Sequence, residues 1–378
     1  MDFDLTIEQK MLKKSAKEFF SKEVDSEMVR EMERDPVGHN PKIWKKMAQI
    51  GWMGLLIPES YGGEEMGFSD MAIVMDEMGY AAFISPYFAT AVVGVLLLLE
   101  GGSEIQKKKL LPQIAKGKKI VTLAWNEPGV ETAGEYIAVK GDRNDNHYVL
   151  NGTKTFVPFG HIANQIIVAV RTGEPKDSGE GGISLFVVDR DQPGVTIDII
   201  DVMADDKPCE VTFDNLSVPA ENMLGEKNLG WAILKRVFQK AAVAKCSEMV
   251  GGARKVLQMS VDYAKKREQF GRPIGSFQAI QHHCADMVTH LETSDLITAK
   301  TCWVIDQGED CEKQASICKA WVNENCRRLF LLGHQVMGGF GFMEEADHQL
   351  YYRRGKAAET MYGNTYYHCE VVARKMEA

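Results

Sequence analysis

The spacing of apolar residues divides the chain into three stretches. From Thr6 to about Lys116 apolar positions recur at helical intervals, as at Met11, Leu12, Phe19 and Phe20. Two capping signatures, Thr6-x-x-Gln9 and Ser103-x-x-Gln106, open helices within it. The Gly and Pro residues of Ile57-Pro58-Glu59-Ser60-Tyr61-Gly62-Gly63 mark a loop. After Gly117 the period changes. Short runs rich in branched residues predict strands at Ile120–Trp125, His147–Leu150, Lys154–Val157, Gln165–Val170, Ile183–Val188 and Val211–Phe213. Turn residues separate them: the polar run Gly141–Asn146, Asn151-Gly152, and Gln192-Pro193-Gly194. Asn-Gly is the strongest hairpin signal, and an antiparallel sheet or small barrel is expected. From about Asn228 the helical period returns and persists, in segments long enough for a four-helix bundle. The expected fold is α+β, with an N-terminal helical domain over 1–118, a middle antiparallel β-domain over 119–227 and a C-terminal four-helix bundle over 228–378.

Composition narrows the function. With 378 residues, 45% hydrophobic and 26% charged, the chain suits a compact globular protein of two or three domains. A formal net charge of -9 argues against a nucleic-acid binder, and the basic run Lys107–Lys109 reads as a solvated helix face. Eight cysteines show no C-x-x-C pair, so neither a metal site nor a disulfide framework is expected, and a reducing, cytoplasmic location fits. The acidic start lacks the pattern of a targeting segment. Ala81–Leu99 is apolar, but Ser85-Pro86 interrupts it, so a buried helix is expected rather than a membrane span. The polar stretch Thr172–Gly182 is expected to be a disordered surface loop.

No G-x-G-x-x-G, Walker loop, H-E-x-x-H or G-x-S-x-G is present. Gly338-Gly339-Phe340-Gly341 indicates either a close backbone approach by a ligand or a packed helix end. Six ordered stretches are more specific. They are Leu56-Ile-Pro-Glu-x-Tyr-Gly-Gly63, Asn126-Glu-Pro-Gly129, Asn151-Gly-x-Lys154, Val218-Pro-x-x-Asn222, the run Arg267-x-x-Phe270-Gly271 continuing to Gln278, and Gln335-Val-Met-Gly-Gly-Phe-Gly-Phe342. In this order they resemble the acyl-CoA dehydrogenase family across essentially the whole chain.

That resemblance implies FAD as cofactor, a CoA thioester as substrate, and an electron-transfer flavoprotein as electron acceptor. It also implies a homo- or hetero-tetramer with a related subunit. By the same resemblance Arg267 meets the FAD pyrophosphate, where a guanidinium fork suits phosphate oxygens. Asn126, Phe156, Pro158, Phe270 and Gln278 border the cofactor, and Gln335, Gly338 and Gly339 approach its adenosine diphosphate half from a neighbouring subunit.

The chain departs from the family pattern at three places. Where members carry W-x-T-N-G, it reads Phe156-Val157-Pro158-Phe159-Gly160, and Pro158 brings neither hydroxyl nor backbone N–H. Where the usual catalytic Glu stands, the chain has Tyr362, a phenol whose ordinary pKa near 10 makes it a poor base. The alternative family base position is Ala241. Seven residues on, and so near the same helix face, stands Glu248 in a small-residue, apolar segment. A carboxylate there is costly unless paired or functional, so Glu248 is either the catalytic base or the partner of Lys245 or Arg254. The Phe-Val-Pro version resembles the subfamily forming mixed α2β2 assemblies, which includes the small subunits of pimeloyl-CoA dehydrogenases and acts on cyclic, steroid-derived or dicarboxylic CoA esters. The expected function is FAD-dependent α,β-dehydrogenation of an acyl-CoA with a bulky, cyclic or dicarboxylic acyl group. The alternatives are a non-catalytic structural subunit and a redox-neutral lyase on the same fold.

Overall fold

The computed structural model describes residues 4–129, 137–175, 180–204 and 206–377. Among the described residues six α-helices come first: α1 (Ile7–Glu23), α2 (Ser26–Arg34), α3 (Pro41–Gln49), α4 (Phe68–Tyr80), α5 (Val95–Gly101) and α6 (Glu104–Ala115). Both sequence-read capping boxes form, with Thr6 and Gln9 at α1 and Ser103 and Gln106 at α6 exchanging side-chain and backbone hydrogen bonds. The apolar run before α5 is buried and begins after Pro86 with a wide-wound turn over Phe88–Gly94. Among the described residues no helix is long and apolar enough to cross a membrane.

Eight strands follow among the described residues: β1 (Val121–Ala124), β2 (Lys140–Asn144), β3 (His147–Pro158), β4 (Gln165–Arg171), β5 (Ile183–Asp189), β6 (Val195–Ile199), β7 (Pro208–Pro219) and β8 (Met223–Leu224). Their order in the sheet is β6-β7-β3-β2-β4-β5-β8, with β1 joined to β4. The sheet is mixed rather than purely antiparallel, because β1 runs parallel to β4 over its whole length and β2 meets β4 in one parallel pair, Lys140 with Arg171. The core lies on β3, β4, β5 and β7, where Leu150, Ile166, Val168, Phe186, Val211 and Leu216 are fully buried.

Two turn expectations are corrected. Asn151-Gly152 is not a hairpin turn: β3 runs straight through it, since β7 pairs with β3 on both sides of the site. A bulge falls opposite it, with the extra residue on β7, where Asp214 and Asn215 lie against Asn151 alone; Gly152 takes φ +132° and the Asn151 side chain accepts from the Asn215 N–H at 2.8 Å. The hairpin turn lies earlier, at Asp145-Asn146, inside a polar run that also supplies β2. Of the expected loop Thr172–Gly182, residues 176–179 lie outside the described residues, while the ends meet through a Thr172 N–H to Gly182 carbonyl bond of 2.7 Å.

The remaining helices are α7 (Gly230–Lys266), α8 (Gln278–Asp306), α9 (Glu312–Met337), α10 (His348–Thr360) and α11 (Thr365–Glu377), with the short strands β9 (Glu268–Gln269) and β10 (Arg272–Pro273) between α7 and α8. Instead of four long helices, three long ones precede two short ones. The break falls at Tyr362-Gly363, where both residues take positive φ. The described residues group into two compact units. One holds the chain up to Glu31, Gly67–Phe83 and the chain from Gln239 on; the other holds Met32–Met66 and Ile84–Phe238. In the first, α4 and α7 cross so closely that a Cβ on Gly79 would stand 2.0 Å from the Glu248 carbonyl oxygen, and one on Gly251 1.8 Å from that of Asp76. Only glycine allows this approach.

Candidate active site

In the second unit Asn126, Phe156 and Pro158 come together where the end of β3 meets the residues that follow β1. Between Lys154 and Val157 the register of β3 against β7 shifts, and this bulge turns Phe156 to φ +51° with 53% of its surface exposed. A bulge that re-aims one side chain is a usual device beside a site. The Thr155 N–H donates to the Asn126 carbonyl at 3.0 Å, and the Thr122 hydroxyl donates to the Pro158 carbonyl at 2.6 Å. Pro158 therefore contributes a fixed carbonyl to the fold, not a donor to a ligand.

Beneath this edge lies a buried ion pair. Lys154, fully buried, places Nζ 2.6 Å from Glu127 Oε1 and 3.1 Å from the Trp125 carbonyl oxygen. The Glu127 carboxylate, whose side chain is 9% exposed, also accepts from the backbone N–H groups of Ala138 and Val139 at 2.9 to 3.3 Å. Burial pulls the Lys154 ammonium down to about 8, against the opposing pull of the Glu127 charge.

In the first unit the Arg267 segment forms a small hairpin, β9 to β10, closed by Phe270-Gly271 with both residues at positive φ. Phe270 is 93% exposed, with its ring edge-on to Phe277 at 6.1 Å. Arg267 and Gln278 are exposed too. At the end of α9, Gln335, Gly338 and Gly339 are likewise exposed, and a Cβ on either glycine would meet nothing within 4 Å. Tight packing within the chain therefore does not explain this pair. Gly338 is accounted for by φ +61°, which Gly339 does not share. Stacked rings of Tyr263 and Phe340, 5.8 Å apart, join the Arg267 segment to this turn. Behind the turn His334 and His348 lie buried with rings 4.0 Å apart.

Glu248 sits on α7 in the same unit with its side chain 26% exposed and its Oε2 2.5 Å from Lys245 Nζ. It shares a cleft with Ala82, Met249, Gly252, Phe330 and Arg354. The alternative partner, Arg254, is taken up by Asp76 at 2.6 Å and Glu77 at 2.9 Å. Ala241 is fully buried. Burial raises the Tyr362 phenol above its ordinary value, which moves it further from use as a base at neutral pH.

Sequence reading missed the Lys154–Glu127 pair, the two histidines and a second buried lysine, Lys319. The latter donates to Asn323 Oδ1 at 2.8 Å and the Ala358 carbonyl at 2.6 Å, just before the Tyr362 break. Lys154 and Glu127 stood in two of the matched stretches, and that shared membership was the one available signal.

The described residues thus comprise a helical region, a β-sheet region bearing a re-aimed aromatic, and a helical bundle displaying an arginine, amides and glycines. Family models identify the family. The acyl-CoA dehydrogenase N-terminal, middle and C-terminal domains match residues 6–118, 122–216 and 228–377. The chain is 31% identical over its full length to the acryloyl-CoA reductase (NADH) of Anaerotignum propionicum, covering 96% of it. It is 30% identical to the cyclohex-1-ene-1-carbonyl-CoA dehydrogenase of Geobacter metallireducens, with 90% of each covered. Among solved structures, butyryl-CoA dehydrogenase from Megasphaera elsdenii superposes with a TM-score of 0.93 at 27% identity, with 100% of both chains covered. The chain belongs to the acyl-CoA dehydrogenase family, oxidoreductases acting on CH–CH bonds, and FAD is the cofactor that membership indicates.

The residues fit that cofactor. Arg267 offers a guanidinium with no side-chain partner among the described residues, as diphosphate requires. Gln278 and Gln335 offer exposed amides, Phe270 and Phe156 exposed rings, and Gly338-Gly339 an open backbone.

Proposed function

We propose that this protein is a FAD-dependent oxidoreductase of the Cα–Cβ bond of an acyl-CoA thioester, with a bulky, cyclic or dicarboxylic acyl group as substrate. The observation that carries the reading is the coincidence of full-length family likeness with the free guanidinium, amides, rings and glycines at the positions the family uses for FAD. The cyclohexene-carbonyl relative supports a cyclic substrate class. Bound FAD supplies a two-electron acceptor for the hydrogen on the β-carbon.

The chain's own residues do the rest. Glu248 removes the α-proton on a carboxylate oxygen, and Lys245, 2.5 Å from Oε2, holds that carboxylate on its turn of α7. Arg267 anchors the diphosphate, and Phe156 walls the ring system. Lost electrons leave through an electron-transfer flavoprotein, and the working assembly is a tetramer of one chain or of two related chains. Eight free thiols suit a cytoplasmic setting.

Full-length likeness to an acryloyl-CoA reductase favours a second reading, reduction of an enoyl-CoA, in which Glu248 returns the proton. Glu248→Gln tests both: FAD content stays at the wild-type level while turnover falls about 10² to 10⁴-fold in either direction. Unchanged turnover assigns Glu248 to the fold alone.

A further inference from the structure

The Lys154–Glu127 pair lies outside every role assigned so far, yet it links the Asn126 segment to the strand that carries Phe156. Lys154 stands on β3 immediately before the bulge that presents Phe156. Its ammonium reaches back to the Trp125 carbonyl and the Glu127 carboxylate, the residues on either side of Asn126. The next residue on β3, Thr155, donates its N–H to the Asn126 carbonyl. Glu127 carries the tie onward to Ala138 and Val139, and Arg171 Nε adds a bond to the neighbouring Ile137 carbonyl at 3.0 Å.

Fold stability alone does not call for this arrangement. A buried ion pair gains little over well-packed apolar groups because both ions lose their hydration. What such a pair supplies is one fixed geometry, since a buried ammonium tolerates no position in which its acceptors are missing. Here the acceptors flank Asn126, and the donor sits at the foot of the Phe156 bulge.

We infer that Lys154 and Glu127 are positioning residues for FAD: their pairing holds the Asn126 segment in register with the Phe156 bulge, so that the cofactor edge of the β-domain is set before the cofactor arrives. This rests on the proposed placement of FAD against Asn126 and Phe156. The effect is preorganisation, which raises affinity by removing the cost of ordering on binding.

The test uses the full chain stripped of flavin, titrated with FAD by fluorescence, with thermal melting in parallel. Lys154→Met leaves Glu127 buried without its cation, so it lowers the melting temperature and weakens FAD together. The decisive variant is the double substitution Glu127→Gln with Lys154→Met, which removes both charges and keeps the shapes. Its melting temperature returns to near the wild-type value, while its Kd for FAD stays about tenfold higher, because neutral groups no longer enforce the register. The visible circular dichroism of the saturated double variant also differs from wild type. A Kd that recovers in step with the melting temperature overturns the inference and leaves the pair a structural element. A wild-type chain that takes up no FAD overturns the parent reading, and this one with it.

Discussion

The two groups of residues expected at the cofactor are built in opposite ways. Asn126, Phe156 and Pro158 are fixed from beneath by the Lys154–Glu127 pair, the Thr155 amide and the Thr122 hydroxyl. Arg267, Phe270, Gln278, Gln335 and the Gly338-Gly339 pair instead stand exposed on a hairpin, a helix start and a helix end. The first group's geometry belongs to the interior of the protein, so disturbing it disturbs the fold. The second group is displayed, and its changes should register on the ligand and hardly at all on the protein.

The histidine pair is where this contrast breaks most sharply, because it is interior support for a displayed turn. His334 stacks on Phe342 at 4.3 Å, and the buried His348 lies against it with ring centroids 4.0 Å apart. Burial, and then the neighbouring His334, pull His348 down to about 3. Its folded value lies below the ordinary one, so the neutral ring contributes stability that is present above about pH 6.5 and lost as pH falls towards 3. Between pH 7 and pH 4 that loss amounts to about 3 kcal/mol. Melting curves should therefore fall steeply over this interval, and His348→Leu should flatten the slope. An unchanged slope in the variant removes the pair from the account.

Arg267→Ala sharpens the comparison from the other side. Loss of a charge-assisted bond to phosphate weakens FAD binding by about 1.5–3 kcal/mol, roughly tenfold to 150-fold. The flavin-free protein should melt within about 0.5 kcal/mol of wild type, because the exposed side chain has no side-chain partner among the described residues. A large loss of stability would mean that Arg267 is structural.

How much of this was legible in the sequence depended on how local each cause was. The capping boxes at Thr6 and Ser103 were readable because donor and acceptor lie three residues apart. So was Lys245 as a partner for Glu248, at the same spacing on one helix. Asn151-Gly152 misled because a local turn signal was overruled by β7, whose long pairing keeps β3 extended and which itself takes the extra residue of the bulge. Strand β2 was hidden because its residues are polar and mostly exposed, with only Gly141 buried. Lys154 and Glu127 are 27 positions apart. The matched stretches marked both segments, but only the path of the strands reveals that they meet. The displayed residues could be singled out by their motifs alone, since an exposed side chain leaves no trace in the chain's own packing.

The most direct test of the central claim is the visible spectrum of the purified chain, followed under anaerobic conditions during addition of saturated cyclic, straight-chain and dicarboxylic acyl-CoAs and, after chemical reduction, of the matching enoyl-CoAs. A FAD-dependent acyl-CoA oxidoreductase shows a bound flavin band that one class of thioester bleaches, or that the corresponding enoyl thioester restores. A protein that carries no flavin, or whose flavin ignores every thioester in both directions, contradicts the account.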